Sequence, residues 1–128
     1  MDLAIVLEFS ILIFIFGFGF IVLRKIIPSK AVKQIRGDEL QEILEEDKAI
    51  LIDVRRQSQF AQFHIQGFNN IPLSQIKKAA TDIPNKNAEI VVISQTGAGG
   101  NEACKRLKRK GFTNLTNVQG GMSSIDMS

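Results

Sequence analysis

A chain of 128 residues with a formal net charge of +3 and one cysteine has room for a single domain and no intramolecular disulfide. The lone thiol fits a reducing compartment. The charge is uneven: residues 24–36 hold five bases and no acid, while eleven bases balance eleven acids from Gly37 onward. A neutral domain behind a basic neck points to a membrane surface and away from nucleic acid.

Leu3 to Leu23 is apolar apart from Glu8 and Ser10. As a helix it spans about 31 Å, the thickness of a hydrocarbon core. The start is Met-Asp, with no basic residue and no Ala-x-Ala site, so residues 1–23 read as an uncleaved anchor and not as a signal peptide. Glu8 lies about 8 Å into the segment, where it reaches the interface or is protonated. Positive charge on the C-terminal side alone predicts an external N-terminus and a cytoplasmic domain at a cell membrane. The basic linker 24–36, broken by Pro28, is expected to lie against anionic lipid.

Ala31–Ile35 reads as a weak edge strand. Asp38 is placed as the N-cap, with Gln41 at the capping-box position, of a helix over GDELQEILEED whose apolar stripe is Leu40, Ile43 and Leu44. Ala49–Arg55 is a short apolar run ending in charge, as a buried parallel strand does. Ser74 is the expected N-cap of SQIKKAATDI, which Pro84 ends.

VVIS then reads as a buried strand, TGAGG as a turn, and NEACKRLKRK as a helix stopped by Gly111. A glycine-rich connection from a strand to a helix N-terminus lets several backbone N–H groups converge on an anion. Gln95, Thr96, Gly97, Ala98, Gly99 and Gly100 are therefore the expected anion-binding loop. LTNV, Leu115 to Val118, reads as the last buried strand, and GGMSSI turns back toward the loop.

LIDVR, HIQG followed by NIPL, the glycine loop, GFTNL and QGGMS stand in an order and spacing that resembles a rhodanese-like (sulfurtransferase) domain, from about Ile35 to Ile125. The resemblance implies a small three-layer α/β domain over residues 37–128, with a mainly parallel five-stranded sheet behind the transmembrane helix. It also implies a bacterial, single-domain, membrane-anchored setting. The family loop reads C-x-x-G-x-R-S, its cysteine carrying sulfur as a persulfide and its arginine holding an anionic donor. Here Ser94 stands at the cysteine position and Gly99 at the arginine position. The resemblance further implies that Asp53 and Arg55 brace the loop, a plain strand-end ion pair being the competing reading. It implies that His64 packs behind the sheet without moving protons. Phe63 and Ile125 depart from the small residue and the tryptophan usual at those places.

A hydroxyl cannot become a persulfide, and an unactivated serine is a poor nucleophile. ISQTG also lacks the G-x-S-x-G elbow of a serine hydrolase. Cys104 falls on the helix face with Ala103 and Leu107, while Lys105, Arg106, Lys108 and Arg109 face out; a buried thiol there is inert. The expectation is a membrane-anchored, catalytically inactive binding or scaffolding module with an unidentified protein partner, no metal and no cofactor. A divergent sulfurtransferase using Cys104 or a partner's thiol is the alternative, and an oxyanion-sensing loop a variant of the first.

Overall fold

The computed structural model describes residues 2–26 and 32–126. Helix α1, Leu3–Ile26, contains an apolar stretch, Leu3–Leu23, long enough to cross a membrane. None of that stretch is buried, which separates it from the core helix of a soluble domain. The linker residues 27–31, with Pro28 and Lys30, lie outside the described residues.

Five parallel strands make one sheet in the order β1-β5-β4-β2-β3. They are β1 (Val32–Ile35), β2 (Ile50–Asp53), β3 (Asn69–Asn70), β4 (Ile90–Ile93) and β5 (Leu115–Val118). The edge strand β1 comes from within the 24–36 segment and pairs with β5, Val32 opposite Leu115. Four further helices connect the strands: α2 (Leu40–Glu46), α3 (Gln57–Gln62), α4 (Ile76–Ala80) and α5 (Ala98–Arg109).

The central strand β4 is IVVI, buried at every position, because both faces of the sheet are covered. Side chains alternate across it. Ile90 and Val92 join Val54, Ile76, Ala103, Leu107 and Phe112 under α4 and α5. Val91 and Ile93 join Ile35, Leu40, Phe68, Val118 and Met122 under α2. The result is the three-layer α/β architecture read from the sequence.

Local boundaries differ from the reading. Asp38 is not an N-cap: a 3-10 turn, Gly37–Glu39, begins one residue earlier, and it is the Glu39 carboxylate that accepts the Arg36 N–H, at 3.3 Å. Gln41 bonds Glu45 instead of closing a capping box. Ser74 likewise sits inside a 3-10 turn, Leu73–Gln75, whose N-cap is Pro72. In both places a tight turn occupies the cap position and the α-helix follows it. The stripe itself is as expected, with Leu40 buried and Ile43 and Leu44 packed beside it.

Candidate functional site

The site is built where β4 ends. Ser94 follows the strand, is only 4% exposed, and its Oγ accepts the Gly97 N–H at 2.9 Å. That bond closes a tight turn through Gln95 and Thr96, both exposed. Gly97 has φ +96°, a left-handed conformation that disfavours side chains, and a Cβ there would lie 2.8 Å from the Gly120 nitrogen. Its carbonyl accepts the Asn101 N–H at 3.0 Å and the Asn117 Nδ2–H at 3.3 Å.

Helix α5 begins at Ala98, three residues before the reading placed it. Ala98, Gly99 and Gly100 are therefore its first turn and not part of a loop. As first-turn residues their N–H groups have no intrahelical acceptor, and they carry the positive end of the helix dipole. Small residues are needed here for packing: a Cβ on Gly100 would overlap Asn117 Oδ1. A Cβ on Gly99 would begin 3.3 Å from Ser94 Cβ, so the positions where the family loop has its cysteine and its arginine are neighbours in space.

The 120–125 segment locks this turn from the other side. Met122 N–H donates to Ser94 O at 2.8 Å, and Ser123 gives both N–H and Oγ–H to Gln95 O, at 3.0 and 2.8 Å. GGMSSI thus does return to the loop. Chemically, the arrangement can offer backbone N–H groups to an anion at a glycine-lined helix start. It presents a hydroxyl already engaged with Gly97 and no thiol.

Asp53 and Arg55 form a buried pair, Nη2 to Oδ2 at 2.9 Å, with Nε within 3.1 Å of both carboxylate oxygens. Arg55 Nη2 also donates to Phe63 O at 2.7 Å. Asn70 Nδ2 donates to the Asp53 and Arg55 carbonyls, at 3.0 and 2.9 Å. Asp53 lies opposite Ile93, beside the strand end that delivers Ser94. None of the pair's hydrogen bonds goes to residues 95–100; they tie β2 to the segment after α3.

His64 does not pack behind the sheet. It is exposed, its ring stacked on Phe60 with centroids 3.8 Å apart and Nδ1 2.8 Å from Phe60 O. Cys104 is fully buried among Ile90, Val92 and Leu115, and burial pushes its thiol up to about 12. Among the described residues, no three His, Cys, Asp or Glu side chains converge as metal ligands.

One group was missed in the sequence. Asn117 on β5, fully buried, donates Nδ2–H to Gln34 Oε1 on β1 at 2.9 Å and to Asn101 Oδ1 on α5 at 3.1 Å. Gln34 Nε2 in turn donates to Asn101 Oδ1 at 2.7 Å. The Gly97 carbonyl can only accept, so it fixes which way the Asn117 amide points. Asn117 Oδ1 is left without a hydrogen bond, against Gly100. The available signal was a polar residue in the middle of a strand read as buried, which demands a partner.

A comparison of the chain with protein families matches residues 37–128 to the rhodanese-like domain. The chain belongs to the rhodanese-like family. Thiosulfate sulfurtransferase PspE of Escherichia coli is 39% identical over 77 residues, covering 59% of this chain and 73% of that protein. YrkF of Bacillus subtilis is 28% identical over 95 residues, 73% of this chain, and the match spans only about half of that protein, 51%. A rhodanese-like domain protein from Staphylococcus aureus superimposes with a TM-score of 0.65 at 29% identity, over 73% of this chain and 91% of that one. The rhodanese-like match begins at Gly37, yet the sheet takes in β1 before it.

Proposed function

We propose that this chain is a membrane-anchored rhodanese-like domain that binds a partner or an anion without transferring sulfur itself, its domain on the cytoplasmic face. The observation that carries this reading is Ser94: the residue at the head of the turn holds oxygen, and its Oγ is committed to Gly97 N–H. Gly99 supplies no guanidinium, so the two-pronged clamp an arginine gives an anion is absent. Cys104 offers no substitute, being buried and protonated at neutral pH. The apolar helix and the bases that follow it support the anchor and the cytoplasmic side.

PspE carries the name thiosulfate sulfurtransferase, which keeps sulfur transfer as the competing reading. The full chain in detergent, given thiosulfate and cyanide, is expected to form no thiocyanate above background. Ser94→Cys with Gly99→Arg is expected to gain that activity. Turnover by the unaltered chain that disappears in Cys104→Ala would establish the enzyme instead.

A further inference from the structure

The neutrality of the domain conceals a separation of charge. From Gly37 to Pro72 the chain carries three bases and seven acids, whereas from Leu73 to Asn114 it carries eight bases and three acids. The first stretch includes α2, which covers one face of the sheet; the second includes α4 and α5, which cover the other. Of the three acids on the basic side, Glu102 is paired with Arg106 at 3.2 Å, and Asp82 and Glu89 lie in the segment between α4 and β4. Lys77, Lys78, Lys86, Lys105, Arg109 and Lys110 are exposed. Lys86 lies over the Phe112 ring, its Nζ 4.2 Å from the centroid, which places it beside the end of α5.

Topology decides where these bases point. All five strands are parallel, so their N-terminal ends, including Val32, share one edge of the sheet. Helix α5 runs back from the end of β4 toward the start of β5, which brings Arg109 and Lys110 to that same edge. The Ser94 turn lies at the opposite edge. Between Ile26 and Val32 the chain can span at most about 20 Å. A folded domain of this length has a radius of gyration of about 13 Å, so its far edge lies on the order of 30 Å away. The short connection holds the Val32 edge near the bilayer, next to a linker that is itself basic.

We infer that the α4–α5 face is a second membrane contact, resting Lys86, Lys105, Arg109 and Lys110 on anionic phospholipid headgroups and turning the Ser94 turn toward solvent. The acids of α2, on the other face of the sheet, are repelled by the same surface and reinforce this lean. The inference rests on the anchor proposed above, and the two fail differently.

The test uses the full chain in nanodiscs, made either of phosphatidylcholine alone or with added phosphatidylglycerol, with spin-labelled headgroups as quencher. Fluorescent reporters are attached at Asn114→Cys, on the strand-start edge, or at Thr96→Cys, on the turn; both positions are exposed, while Cys104 is buried. In the anionic discs the Asn114 reporter is expected to be quenched at least about twofold more than the Thr96 reporter, and the excess to shrink in high salt. Lys105→Glu with Arg109→Glu and Lys110→Glu is expected to abolish the excess; the matching Gln set, which keeps the helix end less strained by repulsion, is expected to reduce it. An excess that is the same in neutral discs, that survives both variants, or that favours Thr96 would overturn the contact, including in favour of an acidic protein as the occupant of this face. Failure of the chain to stay with the discs after a salt wash would instead remove the anchor, and the lean with it.

Discussion

Ser94 and Cys104 are ten residues apart and bracket the first half of α5, and the contrast between their surroundings is instructive. The Ser94 end is made of close backbone approaches, with Gly97, Gly100 and the 120–125 segment bringing N–H groups and carbonyls together around one side chain. The Cys104 position is an apolar slab in which Sγ lies 4.0 Å from the Thr116 carbonyl. The first place can support an anionic sulfur but holds oxygen; the second holds sulfur but penalises its charge. Reactivity here is a property of position, and the residue type alone does not carry it.

The sharpest way to break this contrast is Ser94→Cys. With Cys104 pushed to about 12 from its ordinary 9.0, the new thiol is expected to label with a maleimide at least about a thousandfold faster at pH 8, equivalent to about 4 kcal/mol. Equal labelling rates at the two positions, read by peptide mass mapping, would mean that the turn gives sulfur no special environment.

Gly100→Ala probes the tight end by packing. The added methyl overlaps Asn117 Oδ1, whose amide is held by Gln34, Gly97 and Asn101, so it cannot swing aside cheaply. A loss of about 3 kcal/mol in urea unfolding is expected. A loss below about 0.5 kcal/mol, typical of an unconstrained surface site, would show that the turn is loose.

Cys104→Ala tests the slab through pH. The folded-state pKa is raised, so the stability linked to the neutral thiol is complete below 9.0 and is lost as pH rises toward about 12. Relative to Cys104→Ala, the unaltered chain is expected to lose about 1.4 kcal/mol between pH 7 and pH 10. Parallel stability curves for the two proteins would place the thiol in contact with water.

Much of this was readable in advance because it is written locally. VVIS and LTNV announced buried strands, the first two residues of TGAGG a turn, and Ala103, Cys104 and Leu107 the inner face of α5. What was misread also has physical causes. Two glycines and an alanine are poor evidence for a helix start, since glycine costs backbone entropy there; α5 nevertheless begins at Ala98, where Asn117 on β5 holds the Gly97 carbonyl from outside the local sequence alongside the helical bond from Asn101 N–H. Asp38 and Ser74 have good capping chemistry, but 3-10 turns had already begun. The amide group of Gln34, Asn101 and Asn117 joins positions far apart in the chain and leaves no periodic trace.

The outermost strand has a practical consequence for anyone wishing to prepare this domain without its greasy helix. Cutting at Gly37, where the family match begins, would strip Val32–Ile35 from β5 and deprive Asn117 of Gln34. The fragment would then display a raw row of unpaired main-chain groups beside fully buried side chains, an open invitation to stick to its own kind. A soluble piece that stays monodisperse must keep the short strand that follows the apolar helix.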